Sequence, residues 1–265
     1  MRMFGKILAV LLLVVATLPA CAQERGLAGF GIVLMHGKGG QPGAQLASLA
    51  AALEEQGAKV VMPRMAWAGV RGRPDAYDVP YDQALTRIDA EIAQLRKQGA
   101  RRIVIGGQSL GANAALAFAA RRGNGLAGIM ALAPGHTPER MGRPDILRAV
   151  EHARELVGSG RGGARESFPD VNQGQSFQVE GTAQAWLSFN DPRGPANMPH
   201  NAAAMAAVPF LWVIGTNDPL VAAGRDYAFT LARPNAKSRY VEISAGHLDT
   251  PDRARAEVIA WLKSL

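Results

Sequence analysis

Ser109 lies in Gly107-Gln108-Ser109-Leu110-Gly111, a G-x-S-x-G pattern. A β-branched run (IVI) precedes it and an Ala/Leu-rich stretch with helical character follows it. That context describes a sharp strand-to-helix turn that exposes a serine hydroxyl above a sheet. The residues two before and two after the serine must be small, and here both are glycine. A serine hydroxyl is a weak nucleophile and needs a base. His247, in a Gly-His turn before the last helical segment, is the best-placed candidate. A base needs a carboxylate to fix its tautomer and stabilise the imidazolium. Asp218, just past an apolar run, completes the chain order Ser, Asp, His, one of the arrangements in which such triads occur. Asp249 and Asp191 are the rival carboxylates. His136, His152 and His200 are less suitably placed as bases.

A tetrahedral oxyanion needs preorganised N–H donors. The N–H of Leu110, following the nucleophile, is one. The second is expected from His36-Gly37-Lys38-Gly39-Gly40, with the N–H of Lys38 favoured and Gly37 or Gly39 as alternatives. His36, Gly37 and Gln108 are expected to border the substrate, His36 packing the loop rather than acting as a catalytic group. This glycine-rich loop lacks the G-x-x-x-x-G-K-[ST] spacing of a phosphate cradle.

The elements that must position these groups alternate. Strand patterns are predicted at Gly29–Met35, Lys59–Met62, Arg102–Ile105, Leu126–Ala133, Pro209–Gly215 and Arg239–Ile243. Helical patterns are predicted at Pro42–Gln56, Tyr81–Gln98, from the elbow to about Arg122, from Pro219 to about Leu231, and in a last helix with Thr250 as N-cap. Strand–helix alternation implies a parallel sheet covered on both faces. Ligands bind beyond the carboxyl ends of such strands, where Ser109, His36, His136, Asp218 and His247 all fall. Thr137–Val208 breaks the pattern: a helix at Asp145–Val157 is followed by loose and polar pieces, which reads as an insertion of about 137–208.

Composition bounds the rest. The 265 residues are 48% hydrophobic and 19% charged, which excludes wholesale disorder. One cysteine excludes a disulfide framework and a thiolate metal cluster. The net charge of +7 invites a nucleic-acid reading, but the arginines are scattered and no binding module accompanies them. No nucleic-acid partner is expected. Arg2 and Lys6 followed by the apolar run Ile7–Leu18 and Pro19 read as a secretory signal over residues 1–22, leaving a domain over 23–265. Cleavage after Ala22 gives a soluble form. A lipobox-like reading of Leu18–Cys21 instead makes Cys21 the site of a lipid tether. The expected location is periplasmic or secreted, with a lipid-anchored envelope form as the alternative.

The HGKGG loop, the GGQSLG elbow, GTNDP after a late strand and AGH before the last helix together resemble the α/β-hydrolase superfamily over about Gly29–Leu265. The resemblance implies a three-layer fold with a mostly parallel sheet of about six strands. It omits the family's two leading antiparallel strands, for which too few residues precede Gly29, and places a small cap at the insertion. It implies Ser109 as nucleophile, His247 as base and Asp218 as acid, acting without cofactor or metal on a small-molecule acyl substrate. The loop is not the HGGG form of many lipases. The expected function is an exported serine hydrolase cleaving a carboxylic ester through an acyl-enzyme. Thioesterase, lactonase or peptidase chemistry and a non-catalytic envelope binding protein are the alternatives. The oligomeric state is left open.

Overall fold

The computed structural model describes residues 26–265 apart from 71, 72, 75, 76 and 78. The expected signal segment 1–22 and both readings of Cys21 lie outside the described residues. The described residues form ten strands, β1 (Phe30–Met35), β2 (Lys59–Val61), β3 (Gly69–Val70), β4 (Arg73–Pro74), β5 (Arg102–Ser109), β6 (Leu126–Pro134), β7 (Arg165–Asn172), β8 (Gln175–Thr182), β9 (Phe210–Gly215) and β10 (Arg239–Ile243). Six of them make one sheet in the order β10-β9-β6-β5-β1-β2. Every pairing within it is parallel.

The apolar runs pack both faces because successive side chains alternate. Ile32, Leu34, Val104, Met130, Leu132, Leu211 and Val213 point into one core. There they meet Leu49 and Leu53 of α1 (Ala47–Glu55), and Val258 and Trp261 near the carboxyl end of the chain. Val33, Met35, Ile103, Ile105, Ile129, Ala131, Phe210 and Trp212 point into the other. Three layers result, as a parallel sheet requires.

On that second face lie α2 (Tyr81–Ala84), α3 (Thr86–Lys97) and α4 (Leu110–Arg122). The expected single helix over 81–98 is interrupted at Leu85. Every residue of α4 from Leu110 to Ala119 is buried, and its alanines allow the sheet below and the insertion above to approach closely.

The insertion holds α5 (Pro144–Gly158), the β7–β8 hairpin, α6 (Ala183–Asn190) and α7 (Met198–Ala204). The hairpin turns on Gln173 and Gly174, both with positive φ (50° and 74°). That is the signature of a two-residue turn matched to strand twist.

Two further expectations give way. Residues 219–231 form three short 3-10 segments rather than a helix, because Gly224 takes φ 68° and Ala228 takes φ −148°. The chain closes with α8 (Thr250–Arg253) and α9 (Arg255–Ser264). Thr250 is the first residue of α8 and not its cap: its hydroxyl donates back to the Gly246 carbonyl at 2.6 Å.

Candidate active site

The elbow is shaped by steric necessity. Ser109 ends β5 with φ 56° and ψ −120°, a region that costs a non-glycine residue about 1–3 kcal/mol. A Cβ on Gly107 would sit 2.4 Å from the Met35 carbonyl oxygen, and one on Gly111 would sit 2.1 Å from it. Only glycine at both places lets α4 start directly beneath the end of β1. Leu110 is the first residue of α4, so its N–H is one of those a helix leaves without an intrahelical partner.

Asp218 follows β9 and is buried. One carboxylate oxygen accepts the Leu220 N–H at 2.8 Å, and the other accepts His247 Nδ1–H at 2.6 Å. Those bonds leave His247 Nε2 as the basic ring nitrogen. Nε2 is buried and has no hydrogen-bond partner among the described residues. No hydrogen bond joins Ser109 to His247 here, but the two groups converge: a Cβ on Gly135 would lie 2.8 Å from Ser109 Oγ and 3.2 Å from His247 Cε1. Such contacts are commonly long in unliganded sites and tighten around substrate. The rival carboxylates are engaged elsewhere. Asp249 accepts the Gly246 N–H at 2.6 Å, and Asp191 pairs with Arg154 at 2.5 Å.

The glycine loop is placed by register, since Met35 pairs with Gly107. The Gly39 N–H donates to the Trp67 carbonyl at 2.8 Å, which removes it as an oxyanion donor. The Lys38 N–H has no partner among the described residues, and Lys38 borders the cavity over Ser109. Its ammonium points elsewhere, donating to Asp170 at 2.7 Å. Tyr77 donates to the other oxygen of Asp170 at 2.9 Å, and Asn172 donates to the Lys38 carbonyl at 3.1 Å. Burial, and then the Asp170 charge, push the Tyr77 hydroxyl well above its usual range.

His36 is buried and absent from the cavity wall. Its Nδ1 donates to the Gly37 carbonyl at 2.8 Å, its Nε2 accepts the Met65 N–H at 3.2 Å, and its carbonyl accepts Trp67 Nε1–H at 2.8 Å. Desolvation holds its pKa below 6.5. The expected place beside the substrate therefore gives way to a purely loop-holding one. Gly37 and Gln108 do line the cavity. Gln108 Nε2 donates to the His247 carbonyl at 3.2 Å, and a Cβ on Gly37 would lie 2.5 Å from Gln108 Oε1.

Several site residues carried no clear signal in the sequence. Asp170, Asn172 and Gln173 arrive on the hairpin. Gly135 follows the end of β6. Asn113 of α4 is a buried hub: it accepts from Tyr81 at 2.5 Å and donates to the carbonyls of His136 and Ala196 at 2.7 and 2.8 Å. His136 sits under the cap at φ 60°, its Nε2 donating to the Phe189 carbonyl at 2.8 Å. Desolvation, and then the Lys38 charge, lower its pKa to about 3. Among the described residues no group of three His, Cys, Asp or Glu side chains could hold a metal ion.

The sequence matches the alpha/beta hydrolase family over residues 32–261. The chain belongs to that family. Solved structures share this hydrolase fold at low identity. A structure from work on LipS and LipT, two metagenome-derived lipolytic enzymes, superposes with a TM-score of 0.65 at 15% identity, over 90% of this chain and 95% of its own. The monoacylglycerol lipase of Paleococcus ferrophilus gives 0.61 at 18%, over 88% and 94%. A thermostable carboxyl esterase from Bacillus coagulans gives 0.63 at 15%, over 89% and 90%. No curated protein matches the sequence. In this hydrolase-family chain no helix of the described residues is long and apolar enough to cross a membrane.

Proposed function

We propose that this protein is a serine hydrolase that cleaves a carboxylic ester by way of an acyl-enzyme. The observation that carries the reading is the His247 imidazole. Its Nδ1 is bound to Asp218 at 2.6 Å, its buried Nε2 is unpartnered, and its Cε1 and Ser109 Oγ border the same small space beside Gly135. A buried lone pair without a donor is costly, and the serine hydroxyl is the donor that relieves it. In the reaction, Ser109 Oγ attacks the acyl carbon and passes its proton to Nε2. Asp218 steadies the imidazolium, and the Leu110 and Lys38 N–H groups hold the oxyanion. The imidazolium then protonates the departing alcohol. Water, deprotonated by His247, releases the acid from Ser109. Esterase and lipase activities among proteins of the same fold support this choice of bond.

The test is direct. A fluorophosphonate should label Ser109, and Ser109→Ala should lose at least about 10⁴-fold in kcat on an activated acyl ester. Undiminished turnover in that variant would remove Ser109 from the mechanism. From the Arg2/Lys6 charges and the apolar run Ile7–Leu18 we also propose that the protein is exported, with residues 1–22 as its signal. Its partner is a small acyl substrate rather than a nucleic acid. Mass spectrometry of the mature N-terminus distinguishes a chain beginning at Gln23 from one lipidated at Cys21.

A further inference from the structure

The cavity over Ser109 is small, and most of the side chains in its wall end in a polar group. Its volume is about 220 Å³, some seven times the share of liquid volume held by one water molecule, roughly 30 Å³. Pockets for drug-sized ligands run from about 300 to 1,000 Å³. Among the described residues Leu248 is the only aliphatic side chain in its wall, and it is 51% exposed. The wall otherwise carries carboxamides, from Gln45, Gln108, Asn172 and Gln173. Gln108 and Asn172 are engaged, donating to the carbonyls of His247 and Lys38. The Gln45 and Gln173 side chains are exposed and make no hydrogen bond among the described residues. Each offers two N–H donors and one carbonyl acceptor.

No net charge is left over for a charged ligand, because Asp170 neutralises Lys38 at 2.7 Å. Space for a long acyl chain under the cap is also taken. Phe189 is fully buried there, its ring 4.6 Å from that of Tyr77, 5.0 Å from Tyr81 and 6.3 Å from Trp67. The hairpin turn that presents Gln173 holds it at φ 50°, a conformation few side-chain-bearing residues adopt.

We infer that the substrate is a short, uncharged acyl ester whose alcohol part carries hydroxyl or amide groups, bound by Gln173 and Gln45. This rests on the hydrolase reading above. An alcohol bearing hydroxyls exchanges its hydrogen bonds to water for bonds to these amides. A long aliphatic chain would meet polar groups that it leaves unpaired.

Two pairs of esters test it on the full-length protein. The first is p-nitrophenyl acetate against p-nitrophenyl octanoate, and the second is 2,3-dihydroxypropyl acetate against pentyl acetate. The acetyl ester should exceed the octanoyl ester at least about tenfold in kcat/KM, and the dihydroxypropyl ester should exceed the pentyl ester about fivefold. Gln173→Leu should raise KM for the dihydroxypropyl ester and narrow or reverse the second preference. Fluorophosphonate labelling of Ser109 in both proteins reports separately on folding and on the nucleophile. Labelling with equal rates across either pair overturns the substrate assignment alone. Absence of labelling in the wild-type protein overturns the hydrolase reading, and this inference with it.

Discussion

Gly135 shows how little room surrounds Ser109 Oγ and the His247 ring. An alanine there would bring its methyl group 2.8 Å from Ser109 Oγ and 3.2 Å from His247 Cε1. The hydroxyl must swing away or the imidazole must shift, and displacements near 1 Å cost about 10²-fold in rate. Gly135→Ala should lower kcat about 10- to 100-fold while thermal unfolding moves little. An unchanged kcat would mean that the serine and histidine have slack here. Asp218→Asn addresses the ring instead. It keeps the shape but presents the wrong partner to Nδ1, and should lower kcat by about 10⁴-fold while thermal unfolding moves little. A fall below tenfold would show that the 2.6 Å pairing does not set the tautomer. At this scale the elbow was legible because sterics demand glycine at Gly107 and Gly111. Gly135 was not, since nothing in a Pro-Gly-His turn reveals which side chains will crowd it. The ion pair of Lys38 was not legible for a similar reason: its partner Asp170 lies 132 residues away.

The β7–β8 hairpin is the element that closes the site, and it was the element least visible in the sequence. Its burial alternates only weakly, and Pro169 interrupts the run, so it read as short polar pieces. Apolar runs, by contrast, announced the central strands β1, β5, β6 and β9 of the parallel sheet. The hairpin is fastened to the glycine loop by a buried cluster: Lys38 and Tyr77 on Asp170, and Asn172 on the Lys38 carbonyl. Removing one member of a buried pair strands the other, at about 3–5 kcal/mol. Asp170→Leu should therefore lower the urea midpoint by the equivalent of several kcal/mol. Adding Lys38→Met and Tyr77→Phe removes the stranded groups and should recover much of that loss. If the triple variant is no more stable than the single one, the cost lies in packing of the hairpin rather than in the orphaned ammonium. Activity should fall in both variants, because the Lys38 N–H loses the contacts that hold its loop.

Over the whole molecule, pH reports on buried imidazoles. His36 and His136 are both held neutral by desolvation, His136 with a pKa of about 3. The charged groups facing His136 are Lys38, which lowers its pKa, and Asp170, which raises it. In the unfolded chain both imidazoles titrate near 6.5. Between that value and the folded one the unfolded state binds more protons, so stability rises with pH. Their contribution is complete above about pH 7 and drains as pH falls below 6.5, for His136 down to about 3. Glu139 runs the other way: burial raises its carboxyl, so the folded chain takes up a proton before the unfolded chain does, and stability is gained there. Two imidazoles against one carboxyl, on a chain of net charge +7 whose self-repulsion grows in acid, should leave Tm lower at pH 5 than at pH 7. His136→Gln can still donate an N–H to the Phe189 carbonyl but cannot gain a proton. Its Tm should fall less over the same interval than that of the wild-type protein. Equal falls in the two proteins would place the acid sensitivity elsewhere in the fold.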